Sequence, residues 1–357
     1  MQLVSPLVSP FVPPRCPNRD CPRHLDPTPI FFSRQGSYRP TCRSDAVPRF
    51  RCKTCRKGFS LQTFRADYRD RRPDLNAKVV ALLTSGVGLR QAARLTCLSV
   101  HAVQRKFRKI GRLVAALNHN LLRQLPPGRT YLLDELETFE DLSILPVTVP
   151  VLIEKESKLV VATDAAPIRR VRKRGSKKQR WQQKYELEHG KREDRSRASV
   201  LGVMRHFRHL LAGGRAVLLT DEKTLYAKAC RDLLPDQVVH LQYSSKLPRN
   251  TFNPLFAINH TDAMLRDNCG RLRRRTWLVS KKAEYLRLQL ELFAAYRNWV
   301  RTRNNTDEAG RTPGVVLGIV PRRLAWGEIL AWRQDWQLLS IHPASVSGQE
   351  TVLDAVA

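Results

Sequence analysis

Two aspartates stand out because each directly follows a run of apolar residues. Residues 131–133 (Tyr-Leu-Leu) lead into Asp134, and residues 216–220 (Ala-Val-Leu-Leu-Thr) lead into Asp221. Short apolar runs are typical of buried strands, so each carboxylate is expected on a rigid support. Hard divalent cations prefer oxygen ligands that are held in this way. The pair therefore predicts a metal-dependent phosphoryl-transfer site.

A third ligand is expected on a later helix, where it would complete a site for two metal ions about 3.5–4 Å apart. Helical spacing puts Asn259, Asp262 and Arg266 on one face of a helix. No glutamate occurs in residues 223–275. The third ligand is therefore Asn259, Asp262 or a residue farther along the chain, such as Glu284.

The N-terminal part of the chain holds cysteines in two short-spaced pairs, which are separated by a longer span. This arrangement matches a tetrahedral zinc site whose ligands come from two knuckles. The expected ligands are Cys16, Cys21, Cys52 and Cys55. Cys42 and His24 are spare candidates that we expect outside the site. Gly58 is expected to supply an unusual backbone angle just after the second pair.

The chain is strongly basic, with 63 lysines and arginines against 32 aspartates and glutamates and a formal net charge of +31 over 357 residues. Solubility of a small domain needs a net charge of only about 2–8. The excess therefore points to a polyanion partner, most often nucleic acid. No apolar run is long enough to predict a membrane span, and the N-terminus lacks the basic region of a signal peptide. We expect a cytoplasmic protein.

Residues 74–117 change to a helical period and predict three helices. Ser99 is expected to cap the third helix, whose inward face would carry Val100, Val103 and Phe107. The opposite face has the layout of the recognition helix in a helix-turn-helix. The residues expected to contact DNA there are His101, Gln104, Arg105, Lys106, Arg108 and Lys109. An ordinary three-helix packing unit is the alternative interpretation.

From residue 128 onward the pattern changes to strands, which are expected at residues 131–135, 147–153, 159–164, 216–221 and 238–242. The first three are expected as antiparallel neighbours, and a helix at 198–212 precedes the fourth. Three antiparallel strands, a helix and a further strand are the order of the RNase H-like fold. The 13 lysines and arginines from Arg169 to Arg197 predict a solvated, mobile segment that adds non-specific phosphate contacts.

Several motifs follow one another along residues 14–335. They are Cys-Pro at 16–17, Arg-Cys-Lys-Thr-Cys-Arg-Lys-Gly-Phe at 51–59, the helix-turn-helix at 74–112, Leu-Asp-Glu-Leu-Glu-Thr-Phe at 133–139, Leu-Thr-Asp at 219–221, Ile-Asn-His-Thr-Asp-Ala-Met-Leu-Arg at 258–266 and Arg-Thr-Pro-Gly-Val-Val-Leu-Gly-Ile at 311–319. In this order they resemble the motifs of bacterial insertion-sequence transposases of the DDE type. The closest resemblance is to the insertion-sequence-one group and its relatives. Each motif is weak by itself, and the resemblance rests on their combination.

The resemblance implies that Asp134 and Asp221 are the first two catalytic carboxylates. Asn259 stands at the position of the family's third catalytic carboxylate, which is usually a glutamate. Arg266, seven residues later, would be the basic residue that assists these carboxylates in the family. An amide oxygen can ligate Mg²⁺ but brings no charge, and Asp262 can substitute for it or supplement it. Both an active variant and a decayed copy are consistent with the asparagine.

The implied fold class is an α+β multidomain chain. Its expected parts are a flexible tail (1–13), a small zinc ribbon (14–65), an all-α helix-turn-helix DNA-binding domain (70–125), an RNase H-like α/β catalytic domain with a mixed five-stranded sheet (128–335, with a basic insertion at 167–198) and a C-terminal tail (336–357). Arg273 and Arg274 are expected to position phosphates of DNA. The tryptophans, Trp277 among them, are expected in the core.

The implied activity is that of a DNA transposase of the bacterial nucleoid, which binds terminal inverted repeats and catalyses DNA strand cleavage and strand transfer. Mg²⁺ or Mn²⁺ would act in the catalytic site, and Zn²⁺ would be structural. Pairing two element ends needs at least two protomers, so a homo-oligomer on double-stranded DNA is expected. The competing interpretation is a non-catalytic, sequence-specific DNA-binding regulator derived from a decayed transposase. An RNA-directed nuclease fits the fold but not the helix-turn-helix.

Overall fold

The computed structural model describes residues 11–41, 45–65, 67–248, 250–273 and 276–332. The chain divides into two compact units. One holds the described residues up to Val79 and from Trp326 onward, and the other is Val80–Ala325. No helix among the described residues is both long enough and apolar enough to cross a membrane.

The first unit is built around a small antiparallel sheet. Its strands are β1 (Phe32–Tyr38), β2 (Val47–Cys52) and β3 (Gly58–Ser60), and a short helix, α1 (Pro22–Leu25), precedes them. Its core consists of Phe11, Cys16, Cys21, Phe31, Phe50, Cys52 and Phe59. Gly58 lacks the predicted unusual backbone angle because it pairs with Arg51 in the sheet. The left-handed residue of this turn is Arg56, at φ 61°.

Three helices follow, which are α2 (Asn76–Leu83), α3 (Leu89–Thr96) and α4 (Val100–Leu122). Ser99 caps α4 as predicted, since its Oγ accepts a backbone N–H of the first turn at 3.1 Å. Val103 and Phe107 are buried as predicted, but Val100 is 40% exposed. Lys106, predicted on the outer face, is buried because it lies three residues after Val103 and therefore on the same side of the helix.

The second unit contains a sheet with both directions of strand pairing. Its strands are β4 (Thr130–Phe139), β5 (Pro146–Glu154), β6 (Val160–Thr163), β7 (Ala166–Pro167), β8 (Ala216–Asp221) and β9 (Val238–Tyr243). The order is β6-β5-β4-β8-β9, and β7 pairs with β5. β4, β5 and β6 are antiparallel neighbours, whereas β8 runs parallel to both β4 and β9. The mixed sheet has six strands rather than the predicted five, because the residues of β7, expected in a turn, pair with β5.

The second unit also contains the helices α5 (Lys177–His189), α6 (Ser196–Leu211), α7 (Thr224–Leu233), α8 (Phe256–Asn268), α9 (Ala283–Ala295) with a π-helical extension (Tyr296–Val300), and α10 (Pro313–Val316), while α11 (Trp326–Ala331) belongs to the first unit. On the sheet, α6 packs against β5 and β6, α8 against β4, and α9 against β6. Leu132 of β4 and Leu219 of β8 share a core with Ile258 of α8 and Phe293 of α9. Tyr131 packs instead against α6. Because side chains alternate along a strand, even-numbered residues of β4 face α8 and odd-numbered residues face α6.

The helix α4 packs along α9, so the predicted recognition helix lies in the same compact unit as the sheet. The side-chain amide of Asn118 donates to the Glu291 carboxylate at 2.8 Å. The amide oxygen of Asn118 accepts from the indole N–H of Trp299, also at 2.8 Å. These hydrogen bonds tie α4 to α9 and its π-helical extension.

The basic segment of residues 169–197 is solvated, as predicted, but much of it folds into α5 rather than an unstructured run. Lys, Arg, Gln and Glu dominate α5 and are good helix formers. The Ser176 Oγ caps the helix by accepting the backbone N–H of Gln179 at 3.2 Å. An ion pair between Arg169 and Glu186, at 3.1 Å, ties the start of the segment to the helix.

Candidate functional site

The pairing of β4 with β8 brings two of the predicted catalytic aspartates side by side. Leu132 pairs with Leu219 in the parallel register of these strands. Two residues farther along, the same register puts Asp134 beside Asp221. Side chains two residues apart lie on the same face of a strand. Both carboxylates therefore lie on the face of the sheet that α8 covers.

Asp262 of α8 interacts electrostatically with Asp134. Burial raises the pKa of Asp262 to about 7, and the neighbouring Asp134 carboxylate contributes to the increase. Burial also raises the pKa of Asp134 to about 6, with a contribution from Asp221 that opposes a hydrogen bond from the Glu135 N–H. Burial is the largest cause of both shifts, and repulsion from the neighbouring carboxylates adds to it.

The environment of Asp262 fits a divalent cation. Its Oδ1 is buried, and no donor among the described residues reaches it. Arg266, one turn later, lowers the pKa of Asp262 but leaves it well above the ordinary value of 3.8. A buried carboxylate oxygen without a donor is a candidate ligand for a hard cation.

Asn259, the other candidate for the third ligand, is oriented along its own helix. Its side-chain Nδ2 donates to the Leu255 carbonyl at 3.0 Å. Helical spacing does bring Asn259 and Asp262 to the same face, as predicted. Of the two, Asp262 is the residue with an electrostatic interaction with Asp134.

A cleft of about 320 Å³ opens beside Asp134 and Asp221. On its floor, Glu135 accepts hydrogen bonds from the Thr148 hydroxyl at 2.7 Å and the Tyr226 hydroxyl at 2.9 Å. Lys223 forms an ion pair with the same carboxylate. Glu135, Lys223 and Tyr226 were not predicted as site residues from the sequence. A local feature of the sequence could have indicated two of them. Lys223 follows the strand-end Asp221 by two residues, and Tyr226 lies one helical turn after Lys223.

The basic insertion forms another wall of this cleft. Arg169 and Arg170 line it, and Arg170 forms an ion pair with Glu137 of β4. Asp194 and Ser196, from the end of the insertion and the start of α6, line it as well. The positive charge of the insertion thus lies next to the strand that carries Asp134, which the charge pattern alone did not predict.

The four predicted zinc ligands converge in the first unit, and their sulfur atoms all lie within 4.8 Å of one another. Cys16 and Cys55 are 3.5 Å apart, and Cys21 and Cys52 are 3.8 Å apart, measured between their Sγ atoms. A Zn–S distance of about 2.3 Å gives sulfur–sulfur distances of about 3.8 Å in a tetrahedral site. The cluster therefore has the donor set and the dimensions for zinc.

The spare candidates do not add a ligand to this cluster. His24 lies outside it, as expected, because its Nδ1 is 2.7 Å from the Cys16 carbonyl and is engaged with the backbone. Cys42 lies outside the described residues. The described cysteine cluster consists of the four thiols alone.

The predicted DNA-contacting residues differ in exposure. Along α4, His101 and Arg105 are exposed, Gln104, Arg108 and Lys109 are half-buried, and Lys106 is buried. Arg273 is exposed and donates to the Asp267 carbonyl at 3.2 Å, while Arg274 lies outside the described residues. Trp277, predicted in the core, is 98% exposed because it lies in the loop between α8 and α9. Five of the six candidates on α4 are therefore at least partly accessible to DNA.

Comparison with known proteins gives little guidance. No family model matches the sequence, and no curated protein matches it. Among solved structures, the chain is similar to one in the cryo-electron microscopy structure of the simian T-cell lymphotropic virus intasome in complex with the PP2A regulatory subunit B56 gamma. That match covers 68% of this chain and 72% of the other, at 12% identity and a TM-score of 0.28. A likeness at this TM-score is too low to assign a fold or a function.

Proposed function

We propose that this chain is a metal-dependent DNA transposase of the DDE type, whose catalytic part has an RNase H-like fold. The observation that carries the proposal is the parallel pairing of β4 with β8, which brings Asp134 beside Asp221, while Asp262 of α8 interacts electrostatically with Asp134. The sheet order also supports it, because three antiparallel strands are continued by two parallel ones across a helix. The net charge of +31 supports a nucleic-acid substrate.

In this proposal the three aspartates hold the divalent cation, and Asp262 rather than Asn259 is the third ligand. When bound, the metal supplies Lewis acidity at the scissile phosphate and a water of lowered pKa. The protein supplies position. The aspartates sit on two strands and a helix, which fix them to the precision that phosphoryl transfer requires.

Basic side chains around the aspartates bind and orient the DNA. Arg266 lies next to Asp262, and Lys223 lies at the edge of the cleft. Arg169 and Arg170 of the insertion bring further positive charge to the same opening. Contacts of this kind to phosphates fix the register and orientation of a duplex without reading its sequence. The insertion is therefore a substrate-positioning element in this proposal.

The N-terminal modules recognise the ends of the mobile element. The cysteine cluster carries a structural zinc, and the accessible residues of α4 read the terminal inverted repeats as a recognition helix would. Because two element ends are joined in one reaction, the working form on DNA contains at least two copies of the chain. Domain bounds of 14–65, 70–125 and 128–335 belong to the same proposal.

The test is cleavage of an end-labelled duplex that carries one end of the element, with Mg²⁺ or Mn²⁺ in the buffer. The wild type is expected to release a 3′-OH and to join it to a second duplex. Asp134→Ala and Asp221→Ala are expected to bind the same duplex but not to cut it. If the wild type neither cuts nor joins DNA in the presence of the metal ion, the enzyme proposal is contradicted.

One observation favours a second candidate, a DNA-binding regulator without catalysis. Asn259 occupies the place where the resembled family has its third carboxylate, and its amide nitrogen is bound to the backbone of its own helix. If the wild type binds the element end with sequence preference and never cuts it, the regulator is the better description.

A further inference from the structure

Glu135 follows Asp134 on β4, and its carboxylate has no part in the cation and DNA contacts proposed above. The Glu135 side chain is only 8% exposed. Because successive side chains of a strand point to opposite faces of the sheet, Glu135 projects away from the face that carries Asp134. A carboxylate is costly to bury unless opposite charge and hydrogen-bond donors surround it. The partners of Glu135 therefore indicate what this side chain holds in place.

Three side chains from different elements converge on this carboxylate. The hydroxyl of Thr148, on β5, donates to Oε1 of Glu135 at 2.7 Å. The hydroxyl of Tyr226, on α7, donates to Oε2 at 2.9 Å, and the Lys223 ammonium forms an ion pair with the same oxygen. The Lys223 Nζ also lies 5.5 Å from the centre of the Tyr226 ring. Glu135 thus joins β4 to β5, to α7 and to the turn that follows β8.

The backbone of the same residues binds one oxygen of each aspartate of the pair. The N–H of Glu135 donates to Oδ1 of Asp134 at 2.7 Å. The N–H of Lys223 donates to Oδ1 of Asp221 at 3.1 Å. Within the described part of the chain, no hydrogen bond reaches the Oδ2 atom of either aspartate. Each aspartate therefore has one oxygen fixed by the backbone and one oxygen open to another ligand.

The ion pair joins the two strands at a place where the sheet does not. The parallel pairing of β4 with β8 ends at Leu132 and Leu219, two residues before the aspartates. Beyond that point β4 remains paired with β5, and β8 with β9. The Glu135–Lys223 ion pair spans this gap, because its two residues bind the aspartates through their backbones. It is thus a link between the two strand ends that carry the aspartates.

We propose that Glu135 is a positioning residue, which sets the separation between Asp134 and Asp221 through its ion pair with Lys223, so that both aspartates can bind one divalent cation. Glu135 does not bind the cation itself. Residues that hydrogen-bond or orient metal ligands fix their geometry, and losing one typically reduces metal affinity or activity by about 10–100-fold. The inference rests on the cation site of the proposed function and adds a residue that acts on it from the other face of the sheet.

The test measures Mn²⁺ binding to the full-length protein without DNA, from the electron paramagnetic resonance signal of free Mn²⁺. The double variant Glu135→Gln/Lys223→Gln removes the ion pair and leaves the net charge unchanged, so altered charge does not explain a change in affinity. Its Mn²⁺ affinity is expected to fall by about 10–100-fold. Lys155→Gln/Glu156→Gln is the matched control, because it removes the same two charges from the turn between β5 and β6. The control should bind Mn²⁺ as the wild type does.

Equal Mn²⁺ affinities of the two double variants would overturn the positioning role, even if the first has a lower melting temperature, because a merely structural role changes stability alone. If that variant does not fold, Tyr226→Phe removes one donor to Glu135 and should weaken Mn²⁺ binding to a smaller extent. An unchanged affinity would then overturn the proposal.

Failure of the proposed function is recognised separately. A wild type that binds no more Mn²⁺ than Asp134→Ala does would contradict the cation site and the positioning role together. A wild type that binds Mn²⁺ at this site but never cuts DNA would contradict the catalytic proposal alone.

Discussion

Asp262 has the most informative environment of any single residue in the proposed site. It shares a helix face with Asn259, and helical spacing alone made the two equal candidates for the third ligand. Burial and the Asp134 carboxylate raise the pKa of Asp262 to about 7, whereas Asn259 donates to the backbone of its own helix. A carboxylate also brings the negative charge that an amide lacks.

Asp262→Asn is therefore expected to reduce metal-dependent cleavage by more than about 100-fold, because outer-shell partners of a metal already cost about 10–100-fold. Asn259→Ala is expected to retain most of the wild-type rate. Both variants are assayed on the same labelled duplex at saturating Mg²⁺. The opposite result, with Asn259→Ala inactive and Asp262→Asn active, would assign the third position to the asparagine.

The raised pKa of Asp262 also predicts a pH dependence of stability. Its pKa is about 7 in the folded protein against an ordinary value of 3.8, so the folded state binds the proton more tightly than the unfolded state. The resulting stabilisation is complete below the unfolded pKa and is lost as the pH rises through the folded pKa. The Asp262→Asn variant has no titrating carboxyl group at this position, so its free energy of unfolding does not include this pH-dependent loss. In magnesium-free buffer the variant should become more stable than the wild type above pH 7, by on the order of 4 kcal/mol.

Urea unfolding of the two proteins between pH 4 and 8 measures this difference. The gap in the free energy of unfolding should grow with pH and close at the acidic end of the range. At pH 8, Mg²⁺ should make the wild type more stable than the variant. The cation neutralises the repulsion between the carboxylates of the wild type, and the variant has one carboxylate fewer to bind it. A gap that does not change with pH would contradict the raised pKa of Asp262.

At the scale of elements, the packing of α8 against the sheet fixes the position of Asp262. The helix is held against the sheet by Ile258 and Leu265, both nearly inaccessible to solvent. Since helical side chains project in fixed directions, this packing lets Asp262 interact with Asp134 of β4.

The packing of α4 on α9 is another property of elements and predicts the effect of one substitution. A Cβ on Gly111 of α4 would lie 3.1 Å from the Cβ of Leu288, which cannot move without its backbone. Gly111→Ala is expected to destabilise the protein by about 1–3 kcal/mol through overpacking. Gly202 of α6 faces open space, so Gly202→Ala should be neutral or stabilising by up to about 1 kcal/mol. Thermal unfolding of both variants compares them, and equal effects would contradict the close approach of α4 and α9.

The cysteine cluster predicts a metal content that depends on its four thiols. Cys52→Ser is expected to lose bound zinc, as measured by atomic spectroscopy of the purified protein, since a hydroxyl replaces one thiolate ligand. Cys97→Ser is the control, because Cys97 is exposed and lies outside the cluster. Retention of zinc by the first variant, or its loss from the second, would contradict this ligand set.

At the scale of the whole molecule, the net charge of +31 favours a polyanion partner, which we propose is DNA. Proteins that contact about 6–10 phosphates lose about 10³–10⁵ in affinity between 50 and 200 mM salt. We expect a loss in this range for a random duplex, measured by fluorescence anisotropy. Asp134→Ala should follow the same curve, because the proposed cation site adds no phosphate contact by itself. Weak salt dependence would contradict a phosphate-dominated interface.

Much of the fold followed from local patterns. The five longer strands of the sheet occur close to their predicted bounds, because short apolar runs between polar turns are typical of buried strands. Ser99 caps α4 as predicted, since a cap depends on neighbours along the chain. The wrong predictions concern side-chain burial, which depends on packing between residues that are far apart in the sequence. Lys106 is buried and Trp277 is exposed, although the residue types favour the reverse.

The sequence by itself determined which chemical groups are present and which local elements carry them. Two apolar strands with aspartates and two spaced cysteine pairs are visible in the chain, because strand period and knuckle spacing depend on residues close in sequence. Only the tertiary structure decided that Asp262 interacts with Asp134 and that the basic insertion borders the cleft beside Asp134. Asp134 and Asp262 are more than 100 residues apart in the chain, and the packing of α8 against the sheet brings them together.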